Sequence, residues 1–185
     1  DKAYFIFSTC STPLVRSFSP QQGNGDEMIS IEGSGFTNVT EDIRVTFGGF
    51  TCQVMEASND RIGCKMGGNP LVPIGQYLPL SLQIKGQGSA LLLQRHTLQR
   101  SFVLLPHIAS MDISRGSIMG GTSVKLYGNG LSDDDVNVLI AGQSIQVLKY
   151  NYSSISLITT AMAEGVKEIQ VKVKGIGADC IDNIT

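Results

Sequence analysis

Tryptophan is missing from this chain, histidine occurs only twice, and neither sign of charge dominates: 14 Lys and Arg stand against 16 Asp and Glu, a formal net charge of −2. With so little positive charge, and that scattered, the sequence lacks the electrostatic footprint of a polyanion binder, so no nucleic acid partner is expected. Long apolar runs are also lacking. Ala90-Leu91-Leu92-Leu93 and Phe102-Val103-Leu104-Leu105 fall far short of the roughly 20 residues that cross a bilayer as a helix. Membrane attachment is therefore expected only through segments outside this sequence. The start at Asp1 without a signal-peptide pattern reads as a piece of a larger protein. There is no CxxC and no Cys/His cluster at zinc spacing. No serine or cysteine stands in a nucleophile motif, and no pair of acids recurs in both halves, as a catalytic constellation would require. No catalytic residue, cofactor or metal ligand is assigned, and the expectation is a protein that is not an enzyme.

What the chain does contain is itself, twice. Ile31-Glu32-Gly33-Ser34-Gly35-Phe36 is echoed by Leu126-Tyr127-Gly128-Asn129-Gly130-Leu131, and Val45-Thr46-Phe47-Gly48-Gly49 by Val138-Leu139-Ile140-Ala141-Gly142. At a spacing of about 93 residues Cys52 aligns with Ile145, Val54 with Val147, Ile62 with Ile155 and Cys64 with Leu157. A period that long is a tandem of whole domains. One copy carries Cys/Cys where the other carries Ile/Leu, so the two positions are expected to face each other inside the fold, with Cys52–Cys64 a structural cross-link. Two buried free thiols are the other reading. Cys10 and Cys180 lie near opposite ends, so partners in adjacent domains suit them better than each other.

Short alternating stretches such as Met28-Ile29-Ser30-Ile31, Ile43-Arg44-Val45-Thr46-Phe47, Leu80-Ser81-Leu82-Gln83-Ile84, Val124-Lys125-Leu126-Tyr127 and Ile169-Gln170-Val171-Lys172-Val173 have the period of two of half-buried antiparallel strands. Many of the 21 glycines punctuate them at turns. No stretch offers a long amphipathic helix. The fold class is all-β, with two β-sandwiches in tandem. Residues 1–11 read as the last strand of a preceding domain or an N-terminal extension, 12–105 as one domain, and 106–185 as a second that stops before its own final strand. Such a stop would leave a sheet edge unpaired. The junction Leu104-Leu105-Pro106 has no Gly/Ser tract, which suits a spacer.

Three N-x-S/T sequons, at Asn38, Asn151 and Asn183, are candidate glycosylation sites. With the cross-link they favour an extracellular, oxidising setting. Asp133-Asp134-Asp135 invites a calcium reading, but no further acidic cluster completes calcium's six to eight ligands, and a solvated turn suits it better. His96 and His107 read as ordinary surface or linker residues. Gly33-x-Gly35 and Gly128-x-Gly130 lack the following helix of a dinucleotide loop and are expected to turn the chain out of a strand.

Each copy opens with an apolar pair and a small-residue turn before a strand ending in Gly-x-Gly-apolar, from Phe18-Ser19-Pro20 to Gly33-Ser34-Gly35-Phe36 and from Ile113-Ser114-Arg115-Gly116 to Gly128-Asn129-Gly130-Leu131. This pattern resembles the IPT/TIG domain, an immunoglobulin-like E-set sandwich. Val45-Thr46-Phe47-Gly48-Gly49-x-x-Cys52 followed by Ile62-Gly63-Cys64 is similar to the ectodomain repeats of the fibrocystin family. The resemblance implies a non-catalytic spacer or binding module of a large single-span receptor. It would act in adhesion or surface-coat formation on a plasma membrane, ciliary or stereociliary, against neighbouring IPT domains and an unknown protein ligand. A plexin- or Met-type receptor stalk, or the accessory module of a carbohydrate-active enzyme, would use the same domain; IPT domains that contact DNA need basic loop residues missing here. Without tryptophan or a widely spaced cysteine pair the domains are not of the antibody type. Gly75-Gln76-Tyr77 offers a tyrosine-corner equivalent, whereas Gly165-Val166-Lys167 lacks the tyrosine.

Overall fold

The computed structural model describes residues 4, 8, 12–67, 69, 71–93, 100–131 and 135–180, the last two of these as backbone. It divides into two compact units, one of Asp1–Gly67 with Tyr77–Val103 and one of Gly68–Gln76 with Leu104–Thr185. The reading of residues 1–11 as a preceding domain's strand falls mostly outside the described residues.

The first unit is built from β1 (Leu14–Ser19), β2 (Gln22–Gly23), β3 (Met28–Ser34), β4 (Ile43–Phe47), β5 (Phe50–Ala57), β6 (Arg61–Lys65), β7 (Tyr77–Ile84), β8 (Gly88–Ser89), β9 (Leu91–Leu92) and β10 (Ser101–Leu104). They hydrogen-bond in the order β2-β10-β7-β4-β5-β6-β3-β1-β9, with β8 against β7. One curled ladder makes both layers because β5 serves each in turn. Its first residues pair with β4, Val45 opposite Cys52, and its later ones with β6, Val54 opposite Cys64. Strict alternation puts every second side chain of β7 in the core, namely Leu78, Leu80, Leu82 and Ile84. Val15, Ile29, Ile31 and Ile62 of the other layer are buried as well, all at most 1% exposed.

The second unit comprises β11 (His107–Met111), β12 (Ser123–Asn129), β13 (Val136–Ile140), β14 (Gln143–Ile145), β15 (Val147–Asn151), β16 (Ser154–Ile158), β17 (Ile169–Val173), β18 (Ile176–Gly177) and β19 (Asp179–Cys180). Here the layers are separate sheets, β15-β16-β12-β11-β19 and β14-β13-β17-β18. The strand corresponding to β5 is interrupted at Gln146, giving β14 and β15. Its core gathers Ile108, Val124, Leu126, Leu131, Val138, Ile140, Ile145, Ile155, Leu157, Val171 and Val173.

The repeat extends to backbone register. Val45 faces Cys52 as Val138 faces Ile145, and Val54 faces Cys64 as Val147 faces Leu157. A bulge follows Val54 as one follows Val147, and another follows Val15 as one follows Ile108. The parallel pairing of β9 with β1 recurs as β19 with β11, Cys180 standing beside Ile108 where Leu92 stands beside Val15. A counterpart of β10 does not occur among the described residues. Tyr77 corrects one expectation: it opens β7 with 61% of its surface exposed, so it is not a buried corner tyrosine.

Candidate functional site

Cys52 and Cys64 are joined, with their Cα atoms 5.5 Å apart and both side chains at most 1% exposed. The two strands are neighbours, but the residues are not direct cross-strand partners. Cys64 stands opposite Val54 on one side and Ile29 on the other, while Cys52 is still paired with Val45. The bridge thus ties β6 to β5 where β5 leaves one layer for the other, inside the core and away from solvent. In the second unit Ile145 and Leu157 occupy these places, 4% and 0% exposed and within one core cluster. Sulfur in the first interior is matched by branched hydrocarbon in the second.

The two sequons among the described residues fall on exposed turns. Asn38 is solvent-exposed in the bend before a 3-10 turn at Thr40–Asp42. Asn151 ends β15 with its side chain exposed; its Oδ1 accepts hydrogen bonds from the Ser153 backbone N–H at 3.0 Å and from the hydroxyls of Ser153 at 3.2 Å and Ser154 at 3.1 Å. That Asx turn closes the β15–β16 hairpin and leaves the Asn151 amide nitrogen without a hydrogen-bond partner among the described residues. Asn183 lies outside the described residues, as do Cys10, His96, Asp133 and Asp134. Asp135 is exposed just before β13. Among the described residues no group of His, Cys, Asp and Glu could hold a metal ion. His107 is not a linker residue. It opens β11, half-buried, with its imidazole Nδ1 shielded from solvent and unpartnered.

The Gly-x-Gly pairs have two jobs. The second glycine of each, Gly35 with φ 75° and Gly130 with φ 69°, turns the chain out of its strand through the left-handed region. The first, Gly33 or Gly128, lies against the neighbouring strand so closely that a Cβ would collide with the carbonyl oxygen of Leu14 or His107. Close strand approach at a bulge accounts for a glycine that turning alone would not require.

One feature has no sequence motif to announce it. The second unit has a groove of about 800 Å³ at one end of its core, lined by Met111, Ile113, Ile118, Val124, Ile140 and Met162, among others, with residues 163–167 along one side. Its apolar floor is the open end of the core, and Ile118 on its rim is 59% exposed.

A profile of the IPT/TIG domain matches residues 13–96 and again 106–185. The chain belongs to the IPT/TIG family. The repeated sandwich, the shared bulges and the paired Gly-x-Gly turns are this IPT/TIG tandem seen at atomic level. Human Fibrocystin-L is 32% identical over 183 residues, and the mouse protein of the same name is 28% identical over 185. These alignments cover 98% and 99% of this chain, which spans only 4% of the length of either relative. Among solved structures, the plexin A4 extracellular region aligns over 97% of this chain and 19% of its own, with 19% identity and a TM-score of 0.44.

Proposed function

We propose that this IPT/TIG tandem is a non-catalytic extracellular module that acts as spacer and binding surface within a large, receptor-like, single-span membrane protein of the Fibrocystin-L type. The observation that carries the reading is that both repeats align with Fibrocystin-L across nearly the whole chain, in a fold whose first core is closed by a disulfide. A buried structural disulfide suits an oxidising compartment. The exposed sequons at Asn38 and Asn151 suit the same compartment, with glycans there keeping two turns free of protein contacts. Binding would be to neighbouring IPT domains and to a protein ligand, on the sheet faces or loops the glycans leave open. The role is adhesion or surface-coat formation at a plasma membrane, including ciliary and stereociliary membranes.

The test is secretion of the chain from an animal cell, followed by mass analysis without reductant. A Cys52–Cys64 cross-linked peptide and an enzymatically removable glycan at Asn151, lost in Ser153→Ala, are the expected outcome. Free thiols at both cysteines, or an unglycosylated chain throughout, would count against the extracellular reading.

A further inference from the structure

Three asparagines fold their side chains back over the chain that follows, each Oδ1 accepting a backbone N–H two residues on: Asn24 from Asp26, Asn69 from Leu71 and Asn151 from Ser153, all at 3.0 Å. The residue between differs. It is Gly25 after Asn24, Pro70 after Asn69 and Tyr152 after Asn151. Proline has no N–H to offer, and a tyrosine side chain crowds the approach to its own nitrogen. Gly25 has an N–H and no side chain to shield it. That N–H makes no hydrogen bond among the described residues, whereas the Gly25 carbonyl accepts the Gly67 N–H at 2.8 Å.

The turn between β2 and β3 therefore holds an electrophile and a nucleophile side by side. By donating to Oδ1, the Asp26 N–H draws electrons from the Asn24 Cγ, as an oxyanion-hole donor does. The neighbouring Gly25 nitrogen needs only to close a five-membered ring, with both partners already in one chain. Asn24 is half-buried, so water reaches the turn. The sequence has one other Asn-Gly pair, Asn129-Gly130. There Asn129 ends β12 opposite His107, and the ladder fixes its backbone.

We propose that Asn24 is a self-modification site, which the folded turn converts to isoaspartate and aspartate with water as the only co-reactant. The Gly25 nitrogen attacks Asn24 Cγ and forms a C–N bond, while the Nδ2 group leaves as ammonia, taking the proton that the Gly25 nitrogen gives up. A succinimide then joins residues 24 and 25. Water adds to one of its two carbonyl carbons and breaks the bond from that carbon to the Gly25 nitrogen, which regains a proton. Opening at the main-chain carbonyl leaves isoaspartate, with the chain running through Cβ and Cγ; opening at Cγ leaves aspartate. Isoaspartate lengthens the main chain by one carbon just before Gly25, whose carbonyl ties the turn to Gly67, next to the buried Met66. Either product adds a carboxylate beside Asp26 and Glu27, both exposed. The turn carries the chain from β2, beside β10, to β3, between β6 and β1, so the change loosens a crossing between the two layers of the first unit.

The experiment ages the oxidised 185-residue chain in neutral buffer made with water labelled in heavy oxygen, beside a sample unfolded in urea, and maps the peptides by electron-transfer fragmentation. In the folded chain Asn24 is expected to lose its amide at least about ten-fold faster than Asn129, a barrier difference of roughly 1.4 kcal/mol or more, and to take one labelled oxygen. In urea the two Asn-Gly pairs are expected to react at similar rates. Asn24→Gln, whose closure would need a six-membered ring, is expected to stay intact at residue 24. The isoaspartate form, isolated by ion exchange, is expected to exchange its Gly67 amide at least about ten-fold faster than the starting chain. Equal loss at Asn24 and Asn129 in the folded chain would overturn the proposal. So would a ratio that urea leaves unchanged, which would trace the difference to sequence and not to the turn, and unaltered Gly67 exchange would overturn the loosening.

Discussion

Ala141 shows what a single residue contributes to the repeat. The β4–β5 hairpin turns through Gly48 and Gly49 at φ 59° and 89°, and the β13–β14 hairpin through Ala141 and Gly142 at φ 51° and 79°. Both are two-residue turns with positive φ at each central position, the geometry whose twist matches the flanking strands. Glycine occupies it without steric penalty, whereas an L-residue there costs roughly 1 kcal/mol. Ala141→Gly is therefore expected to stabilise the second unit by up to about 1 kcal/mol, measured by denaturant unfolding. A loss of stability would show that the Ala141 methyl group makes compensating contacts. The cysteines illustrate the converse, two chemistries for one place. Burial of an isoleucine or leucine contributes about 1.5–3 kcal/mol each, and closing the short Cys52–Cys64 loop about 3 kcal/mol by chain entropy. Either pair can close its interior.

Among the elements, β5 and β10 decide the character of the first sandwich. Because β5 runs unbroken from Phe50 to Ala57, it joins the layers covalently and through hydrogen bonds, first to β4 and from Gln53 onward to β6. The second unit breaks the same strand at Gln146 and so has two separate sheets. β10 closes the core end with Phe102, which has no exposed surface. Phe102→Ala is expected to cost the first unit about 3–5 kcal/mol by removing a fully buried aromatic and opening a cavity. Chemical denaturation followed by near-ultraviolet circular dichroism checks it, since the clustered phenylalanine rings report on the site. A cost below about 1 kcal/mol would mean the strand is not part of the cooperative core.

For the whole molecule, the two units have the same blueprint, but among the described residues only the first holds a disulfide. Reductant is expected to lower the stability of the first unit by about 2–4 kcal/mol and to leave the second unchanged. The readout is hydrogen exchange in β3 against β12, the matching central strands, with and without reductant. Equal loss in both would mean that the units unfold as one; no loss in β3 would mean that the disulfide constrains nothing the core does not already hold. For the spacer role proposed above this asymmetry matters, because only one of the two repeats would depend on the oxidising compartment.

The family, the all-β class and the doubling were legible along the chain because each follows from local rules: alternation of two for half-buried strands, glycine where φ is positive, and one spacing that keeps Cys52 with Ile145 and Cys64 with Leu157. Their mutual approach could be read for the same reason, since a core position must be filled and the two copies fill it differently. The geometry of that approach could not. Cys52 and Cys64 do face each other inside the fold, but not as cross-strand partners, because β5 changes partner after Cys52, a choice made by the packing of two layers. The exposure of Tyr77, the strand position of His107 and the close approach that demands Gly33 and Gly128 likewise depend on neighbours distant in sequence. The groove beside Val166 and Lys167 is the clearest case. Met111 and Ile140 look like ordinary core residues along the chain, and only the folded unit brings them together with Ile113, Ile118 and Met162 to line one groove.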